Sequence, residues 1–457
     1  MSGVQQLHLL EKQFSVPLVP GNHGLIKHLE KALSFQLKED ESPVRLVIAG
    51  IDDGKYLCEV GCLVDRDLPE SHLPRPQSIF SFRQRSRSAD ENFNAVFIVP
   101  TGVGAEVGGH AGDATPAAQL LASCCDQLIT HPNVVNASDI NEIPANAHYV
   151  EGSVLCRLLM GTIGLEPAKA NRLAVVFDAQ PDDMIENLVL NTVEAARTTY
   201  GLECTGLYRL DPPLELKATT SKSGRAIGEG RQLESLFALL DEKSDEFDAI
   251  AISSLITVPE GLHDQYFRSN GDMINPWGGI EAMLTHSVSH CFNIPSAHAP
   301  MMESREILNE DPGRVDPRMA AEAISSSFLQ CVLKGLKQSP RIVSDEQEMT
   351  ASGVLTARDI SCLVIPEGCI GLPTLAALQQ GIPVIAVREG SGLIAQELEA
   401  LPWADHQFYK AENYWEAAGI LCALRAGISP ASVRRPMSRL AVEIWPEQAA
   451  STGKKVL

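Results

Sequence analysis

The sequence predicts an α/β protein, with mostly parallel sheets covered by helices on both faces, a two-lobed body and a small α+β extension at the N-terminus. Two observations carry this. From Asn94 onward, short apolar runs rich in β-branched residues alternate with stretches of helical period, the texture of strands buried on both faces. In addition, 457 residues that are 44% hydrophobic and 21% charged provide chain for two or three domains with large cores, and exclude disordered, collagen-like and coiled-coil architectures.

The elements follow in order. In the extension, residues 1–92, Leu25, Ile26, Leu29, Leu33 and Leu37 recur at helical spacing, and 44–49 and 56–64 read as strands. The proline-punctuated stretch from Pro69 to Asn94 reads as a linker whose Arg83, Arg85 and Arg87 face water. In the body, strands are expected at 95–99, 173–178, 203–208, 249–253, 362–365 and 384–387. Helices are expected at about 116–129, 182–199, 231–242, 278–291, 317–336, 373–380 and 414–426. The body divides into a first lobe, 93–260, and a second, 261–457 with C-terminal helices.

Thirty-seven basic against 58 acidic side chains leave a net charge of −21, and 26 and 45 of these lie beyond residue 92. Nucleic acid and anionic membrane surfaces, which need basic patches, are therefore not expected partners. No opening segment resembles a secretory leader and no apolar run approaches 18 residues, so a cytoplasmic location is expected. The eleven cysteines are scattered without a Cys-x-x-Cys pair, which fits reduced thiols better than a disulfide framework or a zinc ribbon. The expected partner is a small-molecule substrate, with homo-oligomerisation left open.

In such sheets ligands bind beyond the carboxyl ends of the strands, so the loops there were read for chemistry. The first, Pro100 to Pro116, holds five glycines between Gly102 and Gly112 and ends in Thr115-Pro116, a good helix start. Thr101, Gly102, Gly104 and Gly109 could cradle an anion on backbone N–H groups, with His110 and Asp113 as an acid/base pair. The spacing is neither the dinucleotide fingerprint nor a P-loop. A second loop offers His131, Asn133 and Asn136 for a polar substrate or for turn capping, and Glu151 follows at a helix start as a cap or a catalytic carboxylate. Ser221, Lys222 and Arg225 form a compact hydroxyl and basic cluster, read as a surface loop, an anion holder or a nucleophile–base pair.

Asn275, Gly278 and Gly279 repeat the device of glycines before a helix. His286 and His290 then share one helical face and His298 follows, a set that could ligate a divalent metal, act in proton transfer or be structural. No other cofactor is expected. A last loop, with Glu367 and Gly368, runs into a helix at whose start Cys369 would have a lowered pKa.

Val99-Pro100-Thr101-Gly102-Val103-Gly104, Gly109-His110-Ala111-Gly112-Asp113-Ala114, Thr130-His131-Pro132-Asn133-Val134, Tyr149-Val150-Glu151-Gly152, Ala297-His298-Ala299-Pro300, Gly381 to Val387 and Tyr414 to Gly419 occur in this order. On these motifs the body, about 94–429, resembles a family found in cyanobacteria and other bacteria and classed only as a domain of unknown function. The resemblance implies one large family domain with an additional N-terminal extension, and brings no reaction.

The expected function is a cytosolic metabolic enzyme acting on a small polar or anionic substrate in an inter-lobe cleft, by hydrolysis or ring-opening of an amide, lactam or lactone. A sugar-nucleotide-dependent transferase of two-lobed fold and a non-catalytic ligand-binding protein are the alternatives. With so few basic side chains near the loops, an anionic substrate would be held by backbone N–H groups and helix ends.

Overall fold

The computed structural model describes residues 7–18, 24–66, 74, 76–86, 92–136, 142–392, 398–437, 439–440 and 442. Two parallel sheets form the body, as the alternating pattern predicts. The larger runs in the order Phe408–Ala411, Val384–Val387, Ile360–Pro366, Asn94–Phe97, Gln127–Thr130 and Ala147–Tyr149, every neighbouring pair parallel. The smaller runs Ser296–Pro300, Ala249–Ser254, Arg172–Asp178 and Glu203–Leu210, also parallel throughout. Strands 94–97, 249–254 and 384–387 are buried along their whole length, because crossover elements leave them no wet face. Helices Thr115–Ala122 and Tyr414–Arg425 pack as one pair, and Gly152–Leu159 and Leu372–Gln380 as another.

A third sheet of seven strands is mostly antiparallel, in the order Ile256–Thr257, Glu215–Thr220, Ala226–Arg231, Leu7–Pro17, Lys55–Asp65, Glu41–Asp52 and Ile370–Gly371. The extension thus shares one sheet with the body. The sheets also cut across the expected lobes, since the six-stranded sheet takes three strands from 94–149 and three from 360–411. Helix Gly278–Phe292 lies between the layers, packed on strands of the seven-stranded sheet, on Ser296–Pro300 and on helix Gly152–Leu159. Twelve of its fifteen residues are buried, as a helix surrounded by protein requires.

Several elements differ from expectation for local reasons. The helix expected over 116–129 ends at Ala122, and the chain enters the strand Gln127–Thr130. The helix expected over 317–336 is broken into Pro317–Met319, Ala320–Ala323 and Leu329–Leu336. At the break, the Ser325 hydroxyl accepts from Ser327 N–H (3.2 Å) and the Ser327 hydroxyl accepts from Leu329 N–H (3.3 Å), competing with the helical ladder. The linker is anchored rather than solvated: Arg85 donates to the carbonyls of Ile360 (2.6 Å), Gln380 (3.0 Å) and Gly381 (3.1 Å), and Arg83 pairs with Glu346. Arg87 lies outside the described residues.

Candidate active site

Beyond the carboxyl ends of strands 94–97, 127–130, 249–254 and 296–300 lies a cavity of about 340 Å³. This is where an open parallel sheet places its ligands. Helix Gly278–Phe292 contributes Glu281, Thr285 and His286 to its wall, and Arg45 reaches it from the extension.

One wall is built on Glu151, the N-cap of helix Gly152–Leu159. Its Oε2 accepts from Ser153 N–H (2.9 Å), Val154 N–H (3.3 Å) and the Ser153 hydroxyl. Its Oε1 accepts from the Thr285 hydroxyl (3.3 Å) and from Nδ1 of His286. Burial alone would raise this carboxyl, but the adjacent His286 ring and the Ser153 donors outweigh it and hold Glu151 below its ordinary value. A neutral His286 that gives its Nδ1 hydrogen to Glu151 carries its lone pair on Nε2. Expected as a metal ligand, His286 is instead half of a histidine–carboxylate dyad on the cavity wall.

His131 and His290 stand close by, and burial lowers both to about 4, so both are neutral. His131 Nε2 accepts from Val99 N–H (3.1 Å), and His290 Nε2 donates to the Gln77 carbonyl (2.5 Å). The three histidines do not converge on one point: His286 bonds Glu151, His290 bonds Gln77, and His298 bonds Glu281 and Ser254. Among the described residues no three His, Cys, Asp or Glu side chains are grouped to hold a metal ion.

On the second wall His298 Nδ1 lies 3.0 Å from Glu281 Oε1 and its Nε2 lies 2.7 Å from the Ser254 hydroxyl. The order Ser–His–Glu is that of a hydrolase triad, but Ser254 is fully buried and absent from the cavity wall, so its hydroxyl fixes the ring rather than attacking a substrate. With both ring nitrogens engaged, His298 braces Glu281, whose side chain stays one-quarter exposed.

Several N–H groups in and beside the expected anion cradles are engaged within the protein. In the first loop, Gly108 N–H (2.9 Å) and His110 N–H (3.3 Å) donate to Asp113, and Ala111 N–H donates to Glu322. Before the cavity helix, Trp277 N–H (3.1 Å) and Gly278 N–H (3.3 Å) donate to Asn275 Oδ1. The glycines here serve packing: a Cβ at Gly279 would lie 2.3 Å from the Ala226 carbonyl, and one at Gly109 2.1 Å from the Ala105 carbonyl. Thr115 heads its helix but sends its hydroxyl to the Val134 carbonyl (3.3 Å) instead of capping. Arg45 bridges the two loops by donating to the carbonyls of Thr101 (3.0 Å) and Gly279 (3.5 Å).

Of the other expected residues, Thr101, Gly102, Asn133 and Asn136 line the cavity. The Asn133 amide donates to the carbonyls of Val99 (2.9 Å) and Gly108 (3.0 Å), and Asn136 accepts from the Tyr149 hydroxyl (3.0 Å). His110, Asp113, Gly104, Glu367 and Gly368 are not part of the wall, and Glu367 pairs with Lys410 at 3.3 Å. Ser221, Lys222 and Arg225 belong to the hairpin 215–231, where Arg225 is buried and pairs with Glu11 and Glu59 through Nε and Nη2, its Nη1 having no hydrogen-bond partner. Cys369 reaches the wall, but burial pushes its thiol up to about 12, the opposite of an activated nucleophile. Glu281, Glu322 and Arg45 were missed. Glu281 sits in the first turn of its helix, where an acidic residue reads as a partner of the helix dipole, and the other two reach the cavity from distant segments.

Asp113 yields a pH test. Burial pushes it from 3.8 up to about 7, against the pull of its two backbone donors. An acid raised on folding binds more protons in the native than in the unfolded state across that window, so the stability it contributes is present below 3.8 and lost as pH rises through about 7. Asp113→Asn keeps an acceptor oxygen but removes the titration. Relative to the variant, the wild type should lose about 2–4 kcal/mol between pH 4 and 8 in urea unfolding. Parallel stability curves would refute the assignment.

The profile of a family of proteins of unknown function, DUF3326, matches residues 94–434. This chain belongs to that family. Within it, an uncharacterised lipoprotein of a Synechococcus strain is 32% identical over 365 residues, an alignment that covers 79% of this chain and 99% of the relative. No solved structure matches. The family segment starts at Asn94, yet its cavity is completed from outside it by Arg45, and His290 is held by Gln77. Among the described residues no helix is long and apolar enough to cross a membrane, and none of the eleven cysteines forms a disulfide.

Proposed function

We propose that this protein is an acid–base enzyme acting on a small, polar, uncharged substrate enclosed in the cavity, with hydrolysis or ring-opening of an amide, lactam or lactone as the leading reaction class. The observation that carries the reading is the Glu151–His286 dyad. The carboxylate fixes the ring and stabilises the imidazolium that forms when Nε2 takes a proton from water, leaving a hydroxide equivalent to attack a carbonyl carbon. Glu281, braced by His298, supplies a second proton-transfer group on the same wall.

An uncharged substrate is favoured over an anionic one by the donor inventory. The N–H groups of Gly108, His110, Ala111, Trp277 and Gly278 are engaged by Asp113, Glu322 and Asn275. Arg45 is committed to two carbonyls, and Arg157 to the Ser289 carbonyl (3.4 Å) and Asn293 Oδ1 (2.7 Å). Glu151, Glu281 and Glu322 all line the cavity and oppose a further negative charge.

The test is a thermal-shift panel of neutral amides, lactams and lactones against carboxylates and phosphates at matched ionic strength, followed by product analysis on any hit. Neutral ligands should stabilise the protein, by about 2.7 kcal/mol at one hundred times Kd. Stabilisation by phosphates or nucleoside diphosphates alone would remove this reading and favour the transferase.

A further inference from the structure

His131 leaves the strand Gln127–Thr130 beside Glu151. Thr130 pairs in register with Tyr149, and Val150 N–H donates to the Thr130 carbonyl (2.8 Å), so the two chains run out of the sheet side by side. The His131 ring is buried, borders the cavity together with Glu151 and His286, and heads the short helix Pro132–Val135 without capping it. Its one hydrogen bond among the described residues is to Val99, whose N–H lies 3.1 Å from Nε2.

That bond fixes the place of the ring's hydrogen. A backbone N–H can only donate, so Nε2 must present its lone pair and the hydrogen sits on Nδ1. The same bond opposes an imidazolium, because a second hydrogen on Nε2 would be set against the hydrogen of Val99. Burial acts in the same direction. His131 is thus a neutral donor through the neutral pH range, and its Nδ1–H has no partner among the described residues. A buried N–H without an acceptor costs stability, and the cavity that the ring borders is the place from which an acceptor can come.

We infer that His131 is a second catalytic histidine, a neutral Nδ1–H donor that binds the carbonyl oxygen of the substrate and polarises it for attack. Its use in turnover rests on the reaction proposed above, whereas the place of its hydrogen does not. As His286 Nε2 takes a proton from water, the oxygen of that water bonds the carbonyl carbon. The C=O π pair moves onto the carbonyl oxygen, where His131 meets it without giving up its hydrogen. The pair then returns, the bond to the leaving nitrogen or oxygen breaks with its electrons, and the proton held by His286 goes to that leaving atom. A neutral donor suits this place, because His286 becomes an imidazolium in the same step and a charged ring beside it would oppose that.

Two substitutions separate this role from support of Val99. His131→Gln offers an amide oxygen near the place of Nε2, keeping an acceptor for Val99, and removes the hydrogen at Nδ1. It should unfold near the wild-type urea midpoint and lower kcat by about 10²–10³ on a substrate from the neutral panel, with the shape of the pH–rate profile kept. His131→Asn keeps an N–H near Nδ1 and gives up the Val99 bond, so it should unfold at lower urea yet retain more of kcat. Wild-type kcat in His131→Gln overturns the assignment. Nitrogen-15 NMR of the full chain, labelled in histidine, reads the hydrogen without turnover. The His131 ring, assigned by its absence in His131→Gln, should show hydrogen on Nδ1 from pH 5.5 to 8.5, with His290, whose Nε2 donates to Gln77, as the opposite reference. A neutral carbonyl ligand that stabilises the protein should move the Nδ1 resonance. Hydrogen on Nε2, titration within this range, or indifference to such a ligand overturns the donor and leaves the His286 base standing. The Nδ1–H pattern in a protein that turns over none of the panel upholds the neutral donor and removes the reaction.

Discussion

His286→Ala is expected to lower kcat by about 10²–10⁴ on whichever neutral carbonyl substrate the binding panel identifies, with KM changed far less. The ring touches Glu151 through Nδ1 and lines the cavity, so its loss removes the base and leaves the carboxylate capped by the Ser153 and Val154 amides and the Thr285 hydroxyl. That residual capping keeps the fold cost to about 1–3 kcal/mol. Glu151→Gln separates positioning from binding. Its amide oxygen still accepts at the helix start, but the charge that holds the Nδ1 hydrogen is gone, so kcat should fall with KM little changed. Unchanged kcat in His286→Ala would remove the dyad from the mechanism.

Arg225→Met is expected to destabilise the protein by about 3–5 kcal/mol in urea unfolding. Arg225 is buried with Glu11 and Glu59, its Nε 2.7 Å from Glu59 Oε2, and Glu59 also accepts from the Ser223 hydroxyl at 2.8 Å. Removing the cation leaves two interior carboxylates with the Arg45 guanidinium as their remaining buried cation. Burial already raises Glu11, with the Arg225 charge pulling it back. The triple change Arg225→Met, Glu11→Gln, Glu59→Gln should recover much of the loss, because the cost is the stranded charge more than the missing pair. A single-variant loss below about 1 kcal/mol would mean that water reaches the cluster. The consequence extends to the cavity: Ala226, the next residue, donates its N–H to the Gly102 carbonyl (3.0 Å) and receives the close approach of Gly279, so the ion cluster seats both glycine loops.

What the sequence made legible follows from local chemistry. The period of helix Gly278–Phe292, the apolar runs of 249–254 and 384–387 and the Glu-Gly helix start at 151–152 are properties of neighbouring residues, and the structure places them as read. The glycine loops are legible for the same reason, but not their engagement. Whether a backbone N–H is free for a ligand depends on what folds over it, and Asp113, Glu322 and Asn275 take the donors of Gly108, His110, Ala111, Trp277 and Gly278. Likewise His286 and His290 share a helix, but their partners Glu151 and Gln77 are 135 and 213 residues away, and spacing within a helix carries no information about them.

The sequence by itself determined an α/β body, a family segment at about 94–429 with an extension before it, and a set of strand-end loops in which chemistry should lie. It also determined the acidic balance, −21 over 457 residues. The tertiary structure alone decided that the extension is part of the fold, that the histidines pair with carboxylates and carbonyls far away in the chain, and that Glu151, Glu281 and Glu322 come together on the cavity wall. The reason is physical: propensity and periodicity act over a few residues, whereas the protonation and engagement of a buried polar group are set by the one partner that packing brings within 3 Å of it.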